Sequence, residues 1–226
     1  MKSAALKTYV VLMFLVLCIC PSAFATQVPI VDWSFESASG ESYSFADKPA
    51  MGTWYKSMPG WTGTGTFGIW NTGTGQYSTG VPEGNFVGFI NGGSIFQALD
   101  WTVKSNNMFT LSIDIGNRSD LAFPKYSVEL LAGDDVLVSG GSVTPGEGLF
   151  STLTLSYVVE ENDPFLGKQL GIRISADGLQ LNFDNLHFNN DRLERPNPVP
   201  EPATLFMLGL GLIGLAGFGG RKFKKN

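Results

Sequence analysis

The residues best suited to chemistry crowd into one stretch of this chain. Between Met51 and Gly93 lie Trp54, Tyr55, Trp61, Phe67, Trp70, Tyr77, Phe86 and Phe89, spaced by glycines and threonines. Aromatic faces offer flat, weakly hydrated area, and they stack on the C–H faces of sugar rings much as they serve other recognition surfaces. Glycine lets the backbone turn tightly and lets a ligand approach closely. Asn71, Gln76 and Asn91 add amides that can hydrogen-bond ring hydroxyls. The pattern predicts a carbohydrate-binding region. Trp54, Trp61 and Trp70 form its platform, with Tyr55, Asn71 and Tyr77 beside them. The competing expectation is that aromatic residues of a β-protein fill its core, and Trp61, next to Pro59-Gly60, fits that description best.

Catalytic constellations are sparse. His187 is the one histidine. A Ser-His-Asp triad would have to use it, yet it alternates outward between Leu186 and Phe188. A zinc site built on one histidine would be unusual in its ligands. Asp and Glu together number 20, but no spacing singles out a pair for glycoside hydrolysis. Asp114 to Asp120 offers oxygen ligands without the full EF-hand pattern, and it reads as a strand end and turn. The expectation is therefore a non-enzymatic protein. A polysaccharide hydrolase is the weaker alternative, and it would need two carboxylates facing each other in a cleft.

The two ends of the chain read as addresses rather than as fold. Lys2 and Lys7 precede an apolar run from Val10 to Cys20, and Ala23-Phe24-Ala25 supplies the small residues that a signal peptidase reads. This predicts a helical signal peptide over residues 1–25, cleaved after Ala25. Both cysteines, Cys18 and Cys20, leave with it, so the mature chain has no thiol chemistry and no disulfide. At the other end, Thr204 to Gly220 carries no charge, and Arg221, Lys222, Lys224 and Lys225 follow. As a single hydrophobic helix this span covers about 25 Å, a little short of a bilayer core of about 30 Å. Gly209 to Gly214 matches G-x-G-x-x-G, but only twelve residues follow it, and the acidic residue of a dinucleotide fold belongs about 20 positions on. Without the two leader lysines and the four basic tail residues, nine of the 15 basic residues remain against the 20 acidic ones. A body this acidic repels phosphates, which argues against nucleic acid as a partner.

Pro200-Glu201-Pro202, the apolar glycine-rich helix and the basic terminus together resemble the PEP-CTERM sorting signal of Gram-negative bacteria. The resemblance implies recognition by an exosortase-type enzyme at residues 201–226. It also implies transient tethering in the inner membrane and delivery to the cell surface or extracellular matrix, where such proteins are associated with exopolysaccharide and biofilm. A plain tail anchor is the alternative.

Between the ends, period-2 alternation dominates. Phe109, Leu111, Ile113 and Ile115 share a face, as do Tyr126, Val128 and Leu130; Leu153, Leu155 and Tyr157; and Leu170, Ile172 and Ile174. Gly, Asn, Asp and Pro clusters bound these runs, and Ala132 to Asp135 reads as a hairpin turn. The fold class is all-β, a β-sandwich (jelly roll) over residues 26–191, joined to the sorting signal by a proline-rich linker at 192–200. In the last strand Leu179, Leu181 and Phe183 are odd-numbered, whereas Leu186 and Phe188 are even-numbered. A bulge at Asp184-Asn185 would keep both halves facing the core.

An opening strand Ile30 to Glu36 containing Ser34-Phe35-Glu36, the Pro59-Gly60-Trp61 turn, the central Thr110 to Arg118 strand and the closing Phe183-Asp184-Asn185 resemble galactose-binding-like jelly rolls found in carbohydrate-binding modules. That resemblance implies a structural Ca²⁺ held by Glu36 and Asp184, whose oxygens suit a hard cation. Read alone, the residues equally allow a solvated Glu36 and an Asp184 that hydrogen-bonds a turn. The functional expectation is an exported surface or matrix protein that binds or embeds in extracellular polysaccharide. A structural or adhesive matrix protein without specific sugar contacts is the alternative.

Overall fold

The computed structural model describes residues 25–44, 52–73 and 75–193, with positions 210 and 212 besides. The signal peptide, most of the linker, Pro200, Glu201, Pro202 and most of the C-terminal helix lie outside the described residues. From Glu194 onward the chain forms a separate unit, of which Leu210 and Leu212 are described, both helical and exposed. Among the described residues no helix is long and apolar enough to cross a membrane.

Among the described residues of the body every regular element is a strand: β1 (Ala25–Gln27), β2 (Ser42–Ser44), β3 (Thr53–Tyr55), β4 (Thr62–Gly63), β5 (Thr66–Asn71), β6 (Phe86–Thr102), β7 (Asn107–Asn117), β8 (Lys125–Ala132), β9 (Asp135–Gly140), β10 (Leu149–Val159) and β11 (Gln169–Arg192). Two of these, β6 and β11, are long enough to serve both layers of a sandwich. The first part of β11 pairs with the later part of β6 and with β8, and β9 continues that layer beyond β8. The second part of β11 pairs with the start of β6 and with β7. Beyond them lie β10 on one side and β5, β3 and β2 on the other. The corner falls where the β6–β11 register breaks between Ala176 and Gln180. Gly92, Gly93 and Gly178 have φ of 67°, 87° and 85° there, a conformation that side chains with a Cβ resist. A strand that bends at such a break can pass from one layer to the next.

The alternation read from the sequence selects the inward face. Phe109, Leu111, Ile113, Ile115, Val128, Leu130, Leu170, Ile172, Ile174, Leu181 and Phe183 are all buried in one core cluster. Each such side chain contributes about 1.5–3 kcal/mol by leaving water. The bulge is present: pairing with β7 skips from Asp184 to His187, Asn185 has φ 52°, and Leu186 and Phe188 are buried as fully as Phe183. Leu179 departs from the expected pattern. It is exposed because it sits at the corner.

The expected opening strand at Ile30 to Glu36 is instead a turn. Asp32 and Phe35 both have positive φ, which a strand cannot carry. Side chains and loop contacts replace the missing ladder. Gln97 accepts from Val31 N–H at 2.8 Å and donates to its carbonyl at 3.0 Å, and Trp33 accepts from Leu186 N–H. The turn drives Phe35 into the end of the sandwich, edge-on to Phe183 at 5.0 Å.

Candidate functional site

Register decides which outward side chains meet. Along one layer the Cα partners run Trp54 to Trp70, Trp70 to Val87, Gly68 to Phe89 and Thr66 to Asn91. They continue from Phe89 to Asn182 and Asn91 to Gln180, then Asn182 to Gly116 and Asp184 to Asp114, and finally Gly116 to Phe150 and Asp114 to Thr152. Because successive residues alternate faces, all of these lie on the outer face, opposite the core. Trp70, Tyr77, Val87 and Phe89 form a second, smaller apolar cluster there, with Trp54, Val81 and Phe150 packed against it.

A cleft of about 220 Å³ opens on this face, lined by Trp54, Thr66, Trp70, Phe89, Asn91, Arg118 and Gln180. It is smaller than the roughly 300–1,000 Å³ typical of drug-sized ligand sites. Trp54 stands half-buried beside it, whereas Trp70 forms its floor. The Arg118 guanidinium lies over the Trp70 ring, 4.5 Å from its centroid. Its position is fixed by hydrogen bonds donated to both carboxylate oxygens of Asp120, at 2.8 and 2.7 Å, and to Gln180 Oε1 at 2.8 Å. That fork is the geometry at which Arg binds most firmly. The Arg118 bond holds the Asp120 carboxyl below its usual range despite partial burial. The cleft is thus an aromatic floor rimmed by amide, hydroxyl and guanidinium groups.

A strap from Gln76 to Asn85 crosses the same face. Tyr77 anchors it: its hydroxyl donates to Asn182 Oδ1 at 3.0 Å, and its ring lies 4.4 Å from that of Phe150. Burial pushes the Tyr77 hydroxyl well above the ordinary phenol range, so it stays protonated. The seat exists because position 116 is glycine. A Cβ there would come within 2.5 Å of the Phe150 ring and 2.7 Å of the Tyr77 hydroxyl. At its far end the strap is held by carboxylates. Glu36 Oε1 accepts from Asn85 and Phe86 N–H, both at 2.8 Å, and Asp184 Oδ2 accepts from Glu83 N–H at 3.0 Å.

Of the residues that the sequence singled out for sugar binding, the structure brings Trp54 and Trp70 to the cleft, and Tyr77 packs in their cluster. Asn91, named for its amide, also lines the cleft, whereas Trp61, Tyr55 and Asn71 do not. Trp61 is buried in the main core, 6.1 Å from Phe35, because its turn folds inward. Tyr55 and Asn71 pair with Ile69 and Phe86, which gives them the parity opposite to the cleft. Sequence reasoning missed Arg118 and Gln180. Gln180 has the outward parity of the last strand, the one signal that pointed to it. Arg118 stands where the expected central strand gives way to a turn, and nothing local marks it as part of a site.

Glu36 and Asp184 do converge, on the same segment, but as acceptors for backbone amides. Among the described residues no group of three or more acidic or histidine side chains is arranged to hold a metal ion. Burial pushes the Asp184 carboxyl from 3.8 up to about 7; the amides of Glu83 and Asn185 oppose the rise, and the charges of Glu83 and Glu36 add to it. Glu83 Oε2 is buried without a partner. His187 faces outward, 4.8 Å from the Trp33 ring, with Nε2 2.7 Å from Asn185 Oδ1. It is packed among neighbours and not aimed at a nucleophile.

A family model described as HpiC1 cyclase matches residues 26–189, nearly the whole described body. The chain belongs to the HpiC1-like family. A PEP-CTERM protein-sorting motif matches residues 198–222, and this marks the protein for export. The Stig cyclase FisC from Fischerella sp. TAU, solved in complex with an indole-containing ligand, is 27% identical over 76% of this chain and 100% of its own, with a TM-score of 0.63. A cyclase from the same organism in complex with 4-(1H-indol-3-yl)butan-2-one is 28% identical over 76% and 100%, with a TM-score of 0.62. The CBM22-1 xylan-binding domain of Paenibacillus barcinonensis Xyn10C is 14% identical over 78% and 99%, with a TM-score of 0.44, a likeness of β-sandwich architecture alone. No curated protein matches the sequence.

Proposed function

We propose that this HpiC1-like chain is a non-enzymatic binding protein of the cell surface or matrix. Its cleft takes one ring of an extracellular polysaccharide against Trp54 and Trp70, while Asn91, Thr66, Gln180 and the free N–H groups of Arg118 meet ring hydroxyls. The observation that supports this reading is the cleft's chemistry. It pairs an aromatic floor with neutral or cationic hydrogen-bonding groups. Among the described residues that line it, none has a side chain that yields a proton near neutral pH, which acid catalysis needs. Family membership gives the scaffold, and these side chains set the task.

The second reading is an indole-type ligand, favoured by the two cyclase complexes above. One experiment separates the two. The processed protein is titrated by calorimetry with exopolysaccharide from the cells that make it, and separately with 4-(1H-indol-3-yl)butan-2-one. Binding of the polysaccharide that falls about fivefold or more in Trp54→Ala supports the sugar reading, since loss of one stacked ring contact costs on the order of 1–3 kcal/mol. Saturable binding of the indole alone, with turnover, overturns it.

The delivery route is proposed with it. A signal peptidase removes residues 1–25, an exosortase-type enzyme acts at Pro200-Glu201-Pro202, and the C-terminal helix holds the chain in the inner membrane only until then. The intact mass of protein recovered from cells tests this. A chain that keeps Ala203 to Asn226 makes the tail a working anchor.

A further inference from the structure

A second basin lies on the same outer face, beyond the strap. It measures about 430 Å³ and is lined by Thr79, Val81, Pro82, Asp114, Phe150 and Thr152 among others. Its floor is polar and ordered. Asp114 is 8% exposed, and its carboxylate accepts from Thr152 Oγ1 at 2.5 Å and from Asn185 Nδ2 at 2.9 Å. A carboxylate has about four lone-pair sites, so two remain for a ligand. Phe150 is half-buried and offers ring area at the basin's side. An acidic acceptor next to an aromatic edge suits vicinal hydroxyls on a sugar ring. It does not suit an anion.

The two basins belong to one sheet. Phe89, on the floor of the first, is on β6, and Asp114 and Phe150 are on β7 and β10. The strand order between them is β6-β11-β7-β10. At about 4.8 Å per strand, the crossing from Phe89 to Phe150 is about 14 Å. Tyr77 is the divider, seated over Gly116 between them. A single ring cannot reach both basins, but an oligomer can. Its path over the strap is an open one, since Thr79 and Gly80 are exposed.

We propose that the basin at Asp114 is a second subsite of one glycan groove, so the ligand is an oligosaccharide chain that crosses the strap at Tyr77 and places a second ring against Phe150, with Asp114 accepting its hydroxyls. This rests on the sugar reading of the first cleft and adds the ligand's length.

The test uses size-fractionated fragments of the same exopolysaccharide, from monosaccharide to octasaccharide, and affinity is measured against each. In the wild type, affinity rises about tenfold or more once fragments are long enough to span the strap. Thr79→Trp, at an exposed loop position, fills the second basin and removes that gain while short fragments bind as before. Asp114→Asn reduces the gain without filling the basin, which keeps the test sound should the tryptophan disturb the strap. Equal affinity at every length, or a length gain that survives both substitutions, overturns the second subsite and leaves the first cleft standing. Failure of every fragment to bind the wild type overturns the sugar reading itself and this proposal with it.

Discussion

Asp184→Asn should flatten the dependence of this fold's stability on pH. Asp184 is fully buried in the bulge of β11, and burial sets its carboxyl at about 7 in the fold against an ordinary 3.8. A folded value above the unfolded one means that the native state binds the proton more tightly. The contribution of this group to stability is therefore greatest in acid and is lost as pH rises from the unfolded value toward about 7. Linkage between the two values gives a loss of about 2.5 kcal/mol between about pH 5 and about pH 8. For a domain of this size that lowers the melting midpoint by about 5–10 °C. The asparagine cannot ionise. It also turns one acceptor away from the Glu83 amide, at about 1–3 kcal/mol. That cost is the same at every pH, so the slope is the decisive quantity and not the absolute stability. Urea denaturation followed by tryptophan fluorescence, in chelator-treated buffer, measures it. A variant that keeps the wild-type slope would refute the assignment. Calcium added at about pH 8 is the second arm. A cation held by Glu36 and Asp184 restores stability to the wild type and not to the variant, and no effect on either removes calcium from the site.

Gly116→Ala should cost about 1–3 kcal/mol through overpacking, seen as a drop of about 2–12 °C in melting temperature, and should loosen the strap enough to raise its protease sensitivity. Arg118→Lys keeps the charge but loses the fork to Asp120 and the reach to Gln180, so it should lower stability by about 1–3 kcal/mol. The same variant should weaken polysaccharide binding in calorimetry, and a neutral result in both assays would show that the guanidinium is not what shapes the cleft.

The fold was legible wherever local alternation sufficed. Phe109 to Ile115, Leu170 to Ile174 and the even–odd slip at Asp184-Asn185 each identify their inward face from a few neighbouring residues, because a strand's side-chain period is fixed by its backbone. The opening segment was misread for the same reason. Ile30 to Glu36 alternates like a strand, and nothing local reveals that Gln97, 66 positions away from Val31, satisfies its backbone in place of a neighbouring strand. The site depends on register and is non-local throughout. Trp54 and Trp70 become neighbours because β3 and β5 pair in one particular alignment. Arg118 and Gln180 meet across 62 positions. Tyr55, one residue from Trp54, faces away because neighbouring residues of a strand alternate, so which of the two meets the cleft is settled only by the pairing with β5.

The same geometry keeps the acids of this face apart from the cleft. On this face the acids sit under and beyond the strap, at Asp114 and Asp184, while the cleft at Trp54 and Trp70 is rimmed by Arg118. A guanidinium clamped by Asp120 donates hydrogen bonds but gives up no proton. Acid-assisted ring closure needs a donor within hydrogen-bond reach of the reacting atom, and Tyr77, the nearest hydroxyl of the strap, spends its proton on Asn182 and is held protonated by burial. Turning this cleft toward proton transfer would require an acid at position 91 or 180, whose side chains already line it. The amides at those two positions donate and accept hydrogen bonds but carry no titratable proton. An Asn91→Asp or Gln180→Glu variant with turnover on 4-(1H-indol-3-yl)butan-2-one well above the parent's would show that a proton donor at the cleft sets the activity. A variant that stayed inert and merely lost polysaccharide affinity would place the difference in the shape of the cleft.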